Sequence, residues 1–432
     1  MHIFKKLSPF IFLLPIFLFV FLLTPYVDLR ACWDGGTEYS KITTFYGLGM
    51  DGYLRAGSLH PPFKAFIAYP FFKILGDRII SYHIMGIVVG CLAILSMYFL
   101  GKKLWNKQVG LLAATLLATC PLFLANATDN YTDYFVAVFV IVSLVFYANN
   151  RLIFYAIAAS AATLSKDTGL LLPVAVLITE VGMLLLKKHV TTSSLLRIVW
   201  VSLPVLSYAI WYIYVKTSGI DVFNDYIFAA TAHQGAIITI LTNLITLNFF
   251  HKYAQAHMLQ LLFLNFTWVY WLILIIGGIV SFQKITMKKL KHTIKISNQN
   301  TKTITAMILF FVGYILTVVT FQIWNTPRYN LPLIPLLIIA ASVVLVTYKN
   351  KIPTLIFLLL AGINFAAIYY SVDPVSTMLW NRAETTRQTF YTIDPDTLGN
   401  DNLVYNLQYV QVMKKRDMVL PGNSSKTCNF TN

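Results

Sequence analysis

The chain is built around apolar runs of about 15–22 residues, each long enough to cross a hydrocarbon core of about 30 Å. Eleven such runs fall at roughly 9–25, 79–100, 109–126, 134–148, 152–165, 169–186, 198–215, 262–282, 304–323, 331–348 and 352–370. Inside lipid every backbone N–H and C=O must find its partner within the protein, which leaves helices as the form such runs can take. An all-α polytopic membrane protein of about eleven transmembrane helices is therefore expected. Of 432 residues, 57% are hydrophobic and 12% charged, about half the charged share of a soluble domain. The first run follows Lys5 and Lys6, lacks a small-residue cleavage site and meets bulky residues at Thr24–Tyr26. That is the pattern of an uncleaved signal anchor.

A net charge of +16 would suit a nucleic-acid partner, but its distribution assigns it elsewhere. With a cytoplasmic N-terminus and alternate threading, the inner segments carry Lys5, Lys6, Lys102, Lys103, Lys107, Arg151, Lys187, Lys188, Arg197, Lys284, Lys288, Lys289, Lys291, Lys295, Lys302, Lys349 and Lys351. They carry no Asp or Glu. Every acid faces outward except Glu180, which lies inside the sixth run near its inner end. This is the positive-inside pattern. The excess charge records orientation, and no nucleic-acid partner is expected.

The helical module spans 1–370 and is followed by an extracytoplasmic segment, 371–432. In that segment LVYNLQYVQVM alternates like a strand or a short helix. Long external loops lie at 26–78 and 216–261. No internal repeat is visible, which weighs against transporters made of duplicated halves. Cys91 and Cys120 fall within runs as packing residues, whereas Cys32 and Cys428 face outward, where a disulfide is chemically permitted. His233, His251 and His257 have no compact ligand spacing, so no metal-binding residues are assigned.

Residues 34–62 form a polar stretch directly after the first run and carry Asp34, Glu38, Asp51 and His60. The segment from Asp34 to Phe45 contains no proline and is expected to form a short helix on the membrane surface. Asp34 and Glu38 would then share one face at i and i+4. Two like charges so placed call for a shared cation, a nearby Lys or Arg, or a shifted pKa; two solvated surface carboxylates are the plain alternative.

Five fragments resemble, in order and in sidedness, the dolichyl-phosphate-mannose–protein mannosyltransferases and their bacterial relatives, the lipid A aminoarabinose transferases. SLHPPFKAFIAYPFFKILG is similar to the HPP-containing end of that superfamily's first external loop. DRIISYHIMGIVVGCLAILSMYFLGKKLW looks like its second helix, and CPLFLANATDNYTDYFVAVF like its third-to-fourth helix junction. LSKDTGLLLPVAVL resembles the segment before its sixth helix, and PRYNLPLIPLLIIAA its late R-Y-x-L-P signature. The resemblance covers roughly 9–186 and 304–348. Where the family has adjacent D-E after its first helix, this chain has Asp34-Gly35-Gly36-Thr37-Glu38.

The resemblance implies an integral-membrane glycosyltransferase of the GT-C type. Such an enzyme moves a monosaccharide, hexose or pentose, from a polyprenyl-phosphate carrier to a lipid, protein or glycan acceptor on the extracytoplasmic face. It implies Asp34 or Glu38 as the base that takes the acceptor proton. His60, Asp133, Lys166 and Arg328 are implied at the donor phosphate and substrate. Asp133 opens a helix, where a capping role is the alternative; Asp129, four residues earlier, reads as a loop residue. Lys166 pairs with phosphate or carboxylate, or else snorkels to the interface. Arg328 starts a helix against the dipole, which calls for an anion, with the phosphate as first choice. No cofactor is assigned, and a divalent cation is left open. A glycan flippase or polymerase, or a protein that binds carrier lipid without turnover, is the alternative class.

Overall fold

The computed structural model describes residues 10–28, 34–56, 60–76, 79–186, 191–218, 242–243, 245–246, 252–264, 267–287, 299–321, 327–348, 354–370, 372 and 377. Among these residues every regular element is a helix. They are α1 (Leu14–Leu23), α2 (Asp34–Arg55), α3 (Phe63–Leu75), α4 (Ile79–Leu104), α5 (Lys107–Ala118), α6 (Pro121–Asp129), α7 (Thr132–Ala148), α8 (Leu152–Thr163), α9 (Leu171–Leu185) and α10 (Thr192–Thr217). There follow α11 (Lys252–Phe263), α12 (Thr267–Met287), α13 (Gln299–Phe321), α14 (Ile334–Thr347) and α15 (Thr354–Ala366). The expectations for Cys32 and Cys428, for His233 and His251, for the His257 side chain and for nearly all of 371–432 lie outside the described residues.

Five segments are long and apolar enough to span a bilayer: α4, Asp167–Leu185, α10, Gln299–Thr320 and Pro327–Thr347. A sixth arises if α5 and α6 count as one broken span, and α1, α7, α8 and the first part of α12 are shorter apolar helices. The apolar run at 109–126, read from sequence as one segment, is bent by 57° between α5 and α6. Pro121 explains the break. It has no backbone N–H to donate and its ring fixes φ, so it serves as the first residue of a new helix. Asp129 is consequently the last residue of α6 rather than a loop residue, and it is buried.

The core is centred on α7, whose residues from Thr132 to Leu144 are all buried. A helix apolar on every side has no solvent face to offer and takes the middle of a bundle. Its neighbours are α4, α8, α13 and the 3-10 turn Pro327–Leu333. Tyr134 ties α7 to α4 by donating to the Gly86 carbonyl at 2.9 Å.

The polar loop after α1 becomes two helices that lie over one end of this bundle. α2 extends past the expected Phe45 to Arg55 and breaks at Gly49, whose φ of 68° is accessible to a residue without Cβ. α3 packs on both α2 and α4. An aromatic seam joins the pair, with ring centroids 5.2 Å apart for Phe45–Phe66 and 5.9 Å for Tyr46–Phe72. Tyr39 extends the seam to Tyr82 of α4 at 5.5 Å.

The other end of the bundle is held by Glu180, the acid that the sequence places inside a run. It is buried and accepts from Tyr147 Oη at 2.8 Å, Arg197 Nη2 at 2.6 Å and Lys302 Nζ at 2.7 Å. Four helices, α7, α9, α10 and α13, meet at this carboxylate. Glu180→Leu strands two cations and is expected to destabilise the protein by about 3–5 kcal/mol. Thermal unfolding in detergent should show a lower midpoint; an unchanged midpoint would mean that this junction does not stabilise the bundle.

Candidate active site

Asp133 enters the site from the first turn of α7, where the helix dipole favours a negative charge, and it is 1% exposed. Lys166 reaches it from the junction of α8 with the 3-10 turn Asp167–Leu170. There an extended backbone (φ −164°, ψ 151°) interrupts the helical path. Its ammonium bonds both carboxylate oxygens, at 2.8 and 3.0 Å. Arg328, from the turn before α14, brings Nε to 3.5 Å from the second oxygen. Two tyrosines shape this layer: the Arg328 guanidinium lies 4.4 Å from the Tyr131 ring centroid, and Lys166 lies 4.2 Å from that of Tyr329. One carboxylate thus faces two cations in a largely buried setting, where each charge needs a partner.

A second layer lies on α2 and α3. Glu38 is buried and accepts from Lys41 at 3.1 Å and from Lys64 on its other oxygen. Lys64, 2% exposed, also donates to the Asn130 carbonyl at 3.0 Å. Asn130 joins the layers. It occupies the left-handed region (φ 52°) after α6, and its side-chain amide donates to the Tyr82 carbonyl at 2.8 Å. A Cβ at Gly86 would collide with that amide. Tyr82 Oη donates to the Asp129 carbonyl at 2.7 Å, fastening the end of α6 near the head of α2. Asp34 opens α2, and its side chain lies outside the described residues.

Burial alone would raise the Glu38 carboxyl, but the ammonium groups of Lys64 and Lys41 outweigh it and hold Glu38 well below the usual carboxylate range. Lys64 is lowered to about 8 by burial, against the pull of Glu38. His60 is lowered to about 3, first by burial and then by the Lys166 charge. Its backbone is anchored, since Tyr53 Oη meets the carbonyls of His60 and Pro61 at 3.0 and 3.2 Å.

Of the residues singled out from sequence, Glu38, His60, Asp133, Lys166 and Arg328 come together at one end of the bundle. The anion facing Arg328 in this structure is Asp133, where the sequence argument put the phosphate first. Lys41, Lys64, Tyr131 and Tyr329 were missed. A helical signal for one of them was present: Lys41 is three residues after Glu38. Among the described residues no group of three His, Cys, Asp or Glu side chains is placed to hold a metal ion.

Fold and site define a helical membrane protein with a cation-rich polar centre at one end. Residues 59–213 match the family model described as dolichyl-phosphate-mannose-protein mannosyltransferase. That match takes in His60, Lys64, Asp133 and Lys166 and leaves out Asp34, Glu38 and Arg328. No curated protein sequence matches the chain. Among solved structures it is similar to the oligosaccharyltransferase of Archaeoglobus fulgidus in the apo form (12% identity, TM-score 0.52, covering 93% of this chain and 60% of that one). The oligosaccharyltransferase AglB from Archaeoglobus fulgidus, in complex with an inhibitory peptide and a dolichol-phosphate, aligns at 13% identity and TM-score 0.50, over 89% of this chain and 60% of that one. ArnT from Cupriavidus metallidurans, bound to undecaprenyl phosphate, aligns at 15% identity and TM-score 0.48, over 94% and 77%. The chain spans about 60% of the archaeal enzyme's length. It has the GT-C fold of integral-membrane glycosyltransferases, as the order of its motifs led us to expect.

The Glu38–Lys64 contact can be tested by a double-mutant cycle on Glu38→Gln and Lys64→Met, read by unfolding of the purified protein. Residues in direct ionic contact should be non-additive by roughly 0.5–3 kcal/mol. Additive losses would mean that the two side chains do not pair.

Proposed function

We propose that the protein transfers a hexose or pentose from a polyprenyl-phosphate carrier to an extracytoplasmic acceptor, by inverting displacement assisted by a carboxylate. The observation that carries this reading is the buried Asp133–Lys166–Arg328 layer, in which cations outnumber the carboxylate at the mouth of an apolar bundle. A lipid phosphate gains negative charge as the sugar leaves, and fixed cations in a dry site stabilise that change most. The dolichol-phosphate in the archaeal enzyme's structure supports the carrier class, and the mannosyltransferase family match supports a monosaccharide. The acceptor class, whether lipid, protein or glycan, is left to experiment. The positive-inside count supports a plasma-membrane location with the N-terminus cytoplasmic and the site outside.

The bonding of Glu38 separates the two candidate bases. Both of its oxygens are engaged by ammonium groups, and a carboxylate held far below the working pH has little affinity for a proton. We assign the base to Asp34, at the head of the same helix, and to Glu38 the positioning of Lys64. His60, neutral at working pH, offers a hydrogen bond without charge. Lys166 and Arg328 supply positive charge at the phosphate. Chelator-treated protein is therefore expected to keep its activity, and loss restored by a divalent cation would assign part of that role to a metal. The clamped Glu38 also favours a second reading, a protein that binds the carrier without turnover.

Asp34→Asn is expected to abolish transfer from a polyprenyl-phosphate sugar while carrier binding persists, and Arg328→Ala should weaken donor use about tenfold or more. If Asp34→Asn, Glu38→Gln and the double variant all keep wild-type turnover, the catalytic assignment is wrong. Carrier binding without transfer to any acceptor in the wild type would favour the second reading. The pH profile has a definite sign. Raising pH through about 8 removes the Lys64 proton and leaves Glu38 with one ammonium, so transfer should fall there. Lys64→Arg should move that limb upward, and His60 should contribute no limb between about pH 5 and 7, far above its folded value.

A further inference from the structure

Asp129 has no part in the chemistry above. It is the last residue of α6 and is 3% exposed, and a carboxylate so buried needs polar partners. The head of α2 lies directly against it. Gly35, in the first turn of α2, is buried. A Cβ built there would lie 3.3 Å from the Asp129 carbonyl oxygen and 3.5 Å from both its Cβ and its Oδ1. Tyr82 of α4 spans the same junction. Its hydroxyl donates to the Asp129 carbonyl at 2.7 Å and sits 3.4 Å from the Gly35 carbonyl oxygen. The Tyr82 carbonyl accepts in turn from the Asn130 side-chain amide at 2.8 Å.

The first N–H groups of a helix find no carbonyl within that helix. A carboxylate beside them is favoured by hydrogen bonding and by the helix dipole together. α2 opens at Asp34, so its first turn carries the candidate base itself. Gly35 is one of two glycines that part Asp34 from Glu38. Glycine weakens a helix by about 1 kcal/mol relative to alanine, and here its lack of a Cβ admits the end of α6 to the turn. We propose that Asp129 is a positioning residue for the base: its carboxylate accepts from the first-turn N–H groups of α2 and so holds Asp34 in register at the site. This rests on the transferase reading above and on Asp34 as its base. Asp129 acts through the α2 backbone, so it governs the rate of transfer and leaves the phosphate contacts of Lys166 and Arg328 as they are.

The test uses the full chain in lipid nanodiscs and two readouts. Hydrogen exchange without substrate reports the head of α2: Asp129→Ala should speed exchange at residues 34–38 about tenfold and leave α3 unchanged. Turnover of a polyprenyl-phosphate sugar reports the consequence: kcat should fall about tenfold or more, with the donor KM unchanged. Asp129→Asn keeps an oxygen acceptor in the same place and should recover most of both. In an Asp34→Asn background, Asp129→Ala should cost nothing further. Should Asp129→Ala fail to fold, Gly35→Ala carries the test. Its Cβ crowds Asp129 while alanine favours the helix, so kcat should fall without a fall in thermal stability. Unchanged exchange at 34–38 overturns the proposal, as does faster exchange with kcat intact or a loss that appears only in KM. Asp129→Asn as inactive as Asp34→Asn overturns it too, because Asp129 would then take part in the chemistry directly. If Asp34→Asn alone keeps wild-type turnover, the base assignment fails whatever the exchange shows, and this proposal falls with it.

Discussion

The pairing of Asp133 with Lys166 and Arg328 is the contact on which the site's architecture depends. Its three members come from the start of α7, the junction of α8 with α9, and the turn before α14, separated by long apolar stretches of chain. In a buried setting none of them can stand alone without a large desolvation penalty. Their mutual satisfaction therefore fixes how these segments meet. One carboxylate is shared between two cations, and that clustering of buried charge is the chemical character of the site.

The Glu38 layer repeats this arrangement with another carboxylate between two lysines. Asn130 and Tyr82 bind the two layers together through backbone carbonyls, so α2 and α3 are fastened to the bundle by polar bonds as well as by their aromatic seam. The Glu180 junction closes the opposite end, joining α7, α9, α10 and α13. Asp133 and Tyr147, fourteen residues apart on α7, put roughly 20 Å between the two charge centres. Apolar packing fills the interval, so both ends of these helices are set by ionic contacts and the middle by shape.

Much of this was legible beforehand because membrane chains encode it plainly. Apolar runs coincide with helices, and Glu38 and the HPP turn after the first run border a polar site. Other features were not legible, for reasons particular to each. Pro121 turned one apolar run into two helices, which run length alone does not register. Lys64 sits among Phe, Ala and Ile and reads as an interfacial lysine until Glu38 is seen opposite it. Arg328 called for an anion, but only spatial proximity could name Asp133, nearly two hundred residues earlier in the chain.

The amino-acid sequence by itself determined that this protein is a helical membrane bundle, which way its charges bias it across a bilayer, and which motifs recur in order. Those properties follow from hydrophobic length and charge distribution, which are local and additive along a chain. Tertiary structure alone decided which carboxylate is saturated by lysines and which cation meets Asp133. Such facts depend on burial and on distance between remote segments, and no local pattern encodes either one.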